Sequence, residues 1–298
     1  CSGLADVRIP GSVTTIGESA FSACISLTSI TIPDSVTAIG DWAFSNCNGM
    51  TAAIITGAIT SISDGMFSDC GKLLSVDIPE SVTKIGWNAF SGCYSLASVA
   101  IPASVSEISE AAFYGCSSLA SVSIPESVTK IVSNVFRGCS GLTSVFIPDT
   151  VTLIGSNAFE GCGGLTTIKL PKSLAMIGED VFKNCSGLTS VYYNTDYPVE
   201  CSKGIFYCDD ADVYTQATLY VPEEIMFVCE QMQPWKYFNN IQAYNFSGVE
   251  EVEGDEDLTS PCEIYLLNGT RYPVSLENLP AGVYIIRRGA EVKKISVR

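Results

Sequence analysis

Residues 142–162 read LTSVFIPDTVTLIGSNAFEGC, and variants of this stretch recur along most of the chain at a fixed step of 23 residues. Cysteine marks the step: counting from Cys1, it returns at Cys24, Cys47, Cys70, Cys93, Cys116, Cys139, Cys162 and Cys185, and Cys208 keeps the count. Neither the helix period of about 3.6 nor the strand period of about 2 produces such a step. It belongs to a solenoid, in which each unit adds one coil and buries its apolar face on its neighbours.

Within the second unit the apolar positions are Leu27, Ile30, Ile32, Val36, Ile39, Ala43, Phe44 and Cys47. Ile30 and Ile32 alternate with Ser29 and Thr31, which predicts a short strand with one buried face. Pro33 ends its ladder. Val36 and Ile39 predict a second extended segment closed by Gly40, and residues 41–47 (DWAFSNC) predict a tight turn or a single helical turn carrying Phe44 inward. Phenylalanine keeps the same register from Phe21 through Phe44, Phe67, Phe90, Phe113, Phe136 and Phe159 to Phe182, the pattern of a stacked core column. Two units depart from it, the third at Thr56, Ile59 and Met66 and the sixth at Val132 and Val135, so local irregularity is expected there without a break.

Thirteen cysteines would ordinarily suggest a disulfide framework. Equivalent residues of stacked coils lie about 4.8 Å apart with parallel side chains, a geometry unlike that of a disulfide. The ladder cysteines therefore read as small buried hydrophobes, which leaves Cys201, Cys208, Cys229 and Cys262 as the candidates for pairing. Cys1 falls on the 23-residue count, so it reads as part of a trimmed repeat; an acylated lipoprotein cysteine is the rival reading.

The formal net charge of −16 opposes binding to nucleic acid or to anionic lipid. No apolar run is long enough to span a membrane, so no membrane insertion is expected. With no histidine in the chain, Ser-His and Cys-His nucleophiles are excluded. No metal site and no cofactor are expected, since CxxC and phosphate-binding motifs are missing too; calcium at Asp209, Asp210 and Asp212 is the weaker alternative. A carboxylate glycosidase is the remote alternative to a non-enzymatic protein, with Asp77, Glu107, Glu110 and Glu126 as the acids available.

The units IPDSVTAIGDWAFSNCNGMT and IPESVTKIGWNAFSGCYSLASV resemble BspA-type leucine-rich repeats, a family of bacterial surface and secreted proteins, over about residues 1–208. The resemblance implies a right-handed leucine-rich-repeat solenoid of short β-strands with helical or turn corners, exported to the cell surface or outside the bacterium. It also implies a role in adhesion or in binding host or bacterial macromolecules. The segment LYVPEEIMFVCEQMQPWKYFNNIQAY resembles the terminal unit of that family, which implies a strand over 219–222, a helix over about 223–231, and a closure in which Trp235 and Phe238 cover the open end of the core. The solenoid with its capping unit (209–245) is expected to span 1–245. An acidic linker follows over 246–261, then a small antiparallel β tail over 262–298. The tail is similar to the end of a type IX secretion sorting domain, though shorter than that domain.

The outward strand positions point to a binding face. One column is uniformly small: Ser29, Ala52, Ser75, Ser98, Ser121, Ser144, Thr167 and Ser190. The next column ends in Phe146, Lys169, Tyr192 and, as the continuation, Tyr220. Exposed aromatics flanking a cation suit a protein or glycan contact, because they offer area at small entropy cost. The alternatives are that the capping segment or tail folds over these residues, or that the solenoid is a self-associating surface spacer.

Overall fold

The alternation of Ile30 and Ile32 with polar neighbours resolves, in the computed structural model, into the strand Ser29–Ile32, with both isoleucines buried and Ser29 and Thr31 exposed. A second short strand, Ala38–Ile39, buries Ile39. Strands of successive coils pair in parallel at the 23-residue register, Ile30 opposite Ala53 and Ala53 opposite Val76. The repeats thus form a parallel β-solenoid of stacked coils, with the apolar side chains of every coil in one continuous core. The structure describes residues 1–246 and, beyond them, the backbone of four strands between 263 and 297. It divides into two units, Cys1–Tyr244 and Asn245–Arg298.

Of the two readings of the corner, the turn is the one found, and its cause is backbone bonding between coils. In the second coil the amides of Trp42, Phe44 and Asn46 donate to the carbonyls of Asp64, Met66 and Ser68 in the third, at 2.8, 3.0 and 2.7 Å. Amides directed along the stack cannot close helical turns. Such a path needs left-handed backbone twice per coil, one and five residues before each cysteine. Those positions are filled mainly by Asn, Asp and Gly, for example Asn46, Asp69, Gly92, Asn134 and Asn157.

The phenylalanine column is stacked as expected, with ring centroids 5.3 to 5.7 Å apart from Phe21 to Phe182. It extends one ring further, to Phe206 at 5.4 Å from Phe182. Cys24 to Cys185 are buried, yet they are more than small hydrophobes. From Cys47 to Cys185 each thiol donates to the carbonyl oxygen of the phenylalanine one coil back, at 3.1 to 3.2 Å. The pairing considered for Cys201, Cys208 and Cys229 is not made; all three are free thiols. Cys262 lies outside the described residues.

Irregularity falls partly where the sequence places it. Thr56, in place of proline, donates through amide and hydroxyl to the Ile32 carbonyl, both at 3.0 Å, and its strand stays paired on both sides. The ladder of second strands, to which Ala38–Ile39 belongs, lapses twice: Ser61–Ile62 does not pair back to Ala38–Ile39, and before Val132 Lys130–Ile131 pairs onward but not back to Glu107–Ile108. Gly40, Gly86, Gly155 and Gly178 hold this place in other coils, each amide donating to an isoleucine carbonyl of the preceding coil at 2.7 to 2.8 Å. A Cβ on Gly155 would sit 2.6 Å from the Ser133 nitrogen, yet Ser109 holds the same place and its amide still donates to the Ile85 carbonyl at 2.8 Å. The ladder of first strands, to which Ser29–Ile32 belongs, also lapses at residues 98–100 and between Ser144–Phe146 and Thr167–Leu170, which the sequence does not foretell.

Thr218–Val221 pairs with Ser190–Tyr193 and with Asn240–Ala243. The expected helix is split into a 3-10 turn, Glu223–Ile225, and an α turn, Met226–Cys229. Trp235 is fully buried, its indole N–H donating to the Val199 carbonyl at 2.8 Å, and Phe238 packs edge-on against Phe206 at 5.4 Å. In the second unit, Arg271–Tyr272, Glu263–Leu266, Gly282–Arg288 and Glu291–Val297 form an antiparallel sheet in that order. The acidic run 249–257 lies outside the described residues.

Candidate functional site

Parallel pairing at a fixed register lines up equivalent side chains along the stack. Lys169 stands opposite Tyr192, Tyr192 opposite Tyr220, and Tyr220 opposite Gln242, all in one four-stranded ladder. Three of the four expected residues are therefore brought together. Phe146, 43% exposed, occupies the same place one coil earlier but in a separate ladder, opposite Ser123. Ile54 of the same column is likewise 44% exposed.

The two tyrosines do not present open ring faces side by side. Their rings stack on each other, centroids 4.5 Å apart and planes within 10°, and Tyr244 packs edge-on against both at 5.1 and 5.8 Å. Burial, with the neighbouring Tyr220 and Tyr244 phenols, pushes the Tyr192 hydroxyl above its ordinary value. Tyr192 and Tyr220 are thus half-buried in a cluster that carries phenol hydroxyls able to donate and accept, next to the exposed Lys169. Among the described residues Lys169 makes no ion pair. Tyr244 is the member that sequence reasoning missed, because it lies two residues past Gln242, where the column itself runs.

Four of the other candidates, Glu107, Glu110, Asp209 and Asp212, are tied down structurally. Glu107 accepts from Lys84 at 2.7 Å, and that bond holds it below the usual carboxylate range, the reverse of what a general acid needs. Glu110 accepts from the Asn134 amide at 3.1 Å. Asp209 exchanges two hydrogen bonds with Asn184, at 3.1 and 3.0 Å, and Asp212 caps the Tyr214 amide at 3.1 Å. Among the described residues no three His, Cys, Asp or Glu are placed to hold a metal ion.

A family model described as BspA type leucine rich repeat region matches six copies, over residues 1–120 and 106–210. Among solved structures the chain is similar to a T. pallidum leucine-rich repeat protein, with 35% identity and a TM-score of 0.49 over 51% of this chain and 72% of that one. It is also similar to a leucine-rich repeat protein of Bacteroides ovatus (23%, 0.46, covering 80% and 77%). A third is a leucine rich cell surface protein of Faecalibacterium prausnitzii (25%, 0.36, covering 80% and 78%). No curated protein matches the chain.

Proposed function

The chain belongs to the BspA-type leucine-rich repeat family, and on that footing we propose that it is a non-enzymatic, exported recognition protein of the bacterial surface. It grips a host or bacterial macromolecule, protein or glycan, on the strand-lined face around Phe146, Lys169, Tyr192 and Tyr220. The observation that carries this reading is the ladder Lys169, Tyr192, Tyr220, where a lysine in no ion pair among the described residues stands one strand from a pair of tyrosines whose rings are already fixed by stacking. Side chains held in place before binding lose little entropy on contact.

The test is a screen of the purified chain against immobilised matrix proteins and glycans, run beside the Phe146→Ala/Tyr192→Ala double variant. A ligand bound by the wild type and lost by the variant at unchanged melting temperature supports the reading; a ligand bound equally by both removes it. Residues 262–298 serve in this proposal as a type IX-like sorting and anchoring tail, so deletion from Val249 onward releases the protein from the cell surface. If that deletion is the only change that alters behaviour in cells, the solenoid is a surface spacer.

A further inference from the structure

We propose that the corner of the second to fourth coils carries a second binding site, separate from the strand face, for a neutral oligosaccharide that stacks on Trp42 and Trp87. Trp42 sits in left-handed backbone, with φ of 58°, at a position where the third coil has Gly65 and the fourth Asn88. A bulky residue in this region costs free energy that glycine or asparagine avoids, and such strain gathers at ligand clamps. Core packing does not account for it, because Trp42 is only half-buried.

The neighbourhood is shaped to hold the ring. The six-membered ring of Trp42 lies over Gly65, where a Cβ would come within 2.1 Å of it. Its plane stands at 80° to that of Trp87, with centroids 5.7 Å apart, and Trp87 is 43% exposed. The result is an indole corner with one wall open to solvent. Two carboxylates are fixed beside it: Asp64 Oδ1 accepts the Trp87 amide at 2.8 Å, and Asp41 Oδ1 accepts the Asp64 amide at 3.2 Å. Each has a second oxygen with no hydrogen-bond partner among the described residues.

These parts select a ligand class. An indole face, rich in electron density, attracts the C–H face of a pyranose ring, and carboxylate oxygens accept strong hydrogen bonds from hydroxyls. Among the described residues no Lys or Arg forms an ion pair with Asp41 or Asp64; Lys84 feels the Asp64 charge but is already paired with Glu107 at 2.7 Å, so a sulfated or uronic sugar would meet a net negative site. A neutral sugar meets none.

The assay uses the fact that two of the chain's three tryptophans form the site while the third, Trp235, is fully buried in the cap. The full chain is titrated with cellopentaose, maltopentaose, mannopentaose and, as the competing occupant, a lysine-rich peptide, following intrinsic fluorescence. At least one sugar should give a saturable change that weakens about tenfold or more in Trp87→Ala and Gly65→Ala. The response should persist in Trp87→Phe and in the Phe146→Ala/Tyr192→Ala variant. Should Gly65→Ala fail to fold, Trp87→Ala, at an exposed position, decides alone. No saturable response to any sugar, equal affinity in Trp87→Ala, or a response to the peptide alone would overturn the proposal.

Discussion

The thiol of Cys139 donates to the carbonyl oxygen of Phe113 at 3.2 Å, across 26 residues of sequence and one coil of the stack. The same carbonyl accepts the Cys116 amide at 3.2 Å, so the thiol fills its second lone pair. The two most regular columns of the sequence are therefore bound to each other. Burial pushes the Cys139 thiol up to about 12, with the Cys116 backbone opposing. Cys201 and Cys229 are raised to about 12 as well, by burial first. Cys47 is shifted the other way, lowered first by the neighbouring Cys70 thiol, but it is fully buried. Since the nucleophile is a thiolate that the reagent can reach, the folded protein at pH 8 should react with a thiol reagent rapidly only at the exposed Cys1 among its described cysteines. Unfolding should release all the others, and a denatured chain that shows a single reactive thiol would refute the free ladder.

The same shifts make stability depend on pH. A thiol raised in the folded state and near 8.5 in the unfolded chain favours folding fully below about pH 8.5. That contribution is lost as pH climbs toward about 12, because the unfolded chain sheds its protons first. Urea midpoints should therefore be flat through neutral pH and fall steadily above about 9. A cysteine-to-alanine series should flatten the slope while lowering the plateau.

Gly155 and Gly11 separate close packing from mere glycine content. A Cβ on Gly155 would stand 2.6 Å from the Ser133 nitrogen and 2.7 Å from the Val132 carbonyl carbon, whereas nothing lies within 4 Å at Gly11. Gly155→Ala should cost about 1–3 kcal/mol through overpacking. Gly11→Ala should be neutral, or stabilise by up to about 1 kcal/mol through the unfolded chain. Chemical denaturation of the two variants in parallel checks the contrast.

Tyr192 reports on the strand face. Its hydroxyl is raised by burial and then by Tyr220 and Tyr244, so ultraviolet titration should show it ionising above the ordinary tyrosine value near 10. In Tyr244→Ala both the covering ring and one phenol are gone, and Tyr192 should titrate closer to 10. An unchanged profile would mean that Tyr244 does not cover the pair in solution.

The fold was legible because a solenoid coil is one sequence period: apolar offsets fixed once are fixed for every unit, so Phe44 and Phe159 needed no separate reading. The coil corners were only half legible. A column of Asn, Asp and Gly one residue before each cysteine, at Asn46, Asp69 and Gly92, is the left-handed signal that would have decided for a turn. Features formed across columns stayed hidden. Trp42 and Trp87 stand five and six residues before their cysteines, so no single column joins them, and Tyr244 reaches Tyr192 only after the last strand has ended. Val132 marked its lapse, but the cause is not legible in the sequence, since Ser109 fills the same place with its coil still bonded to Ile85.

Phe206 offers the sharpest test of how the stack is held closed. It lies 24 residues after Phe182, one beyond the repeat count, yet its ring stacks at 5.4 Å with planes within 11°, so one extra residue is absorbed in the loop before the 3-10 turn Lys203–Phe206. On its other side it meets the edges of Tyr214 at 5.7 Å, Trp235 at 6.3 Å and Phe238 at 5.4 Å. It therefore joins the repeating core to the closing unit, and truncation to alanine should cost about 3–5 kcal/mol. A repeat array unfolds by neighbouring units, so the loss should appear locally. Amide exchange should quicken first in the strands Ser190–Tyr193 and Thr218–Val221, while Ser29–Ile32 keeps its protection. Phe21→Ala, at a half-buried ring with one stacking partner, should cost less and spare the C-terminal strands. Equal loss of protection along the whole solenoid in Phe206→Ala would instead show that the stack unfolds as one cooperative unit, with Phe206 holding no special place at its end.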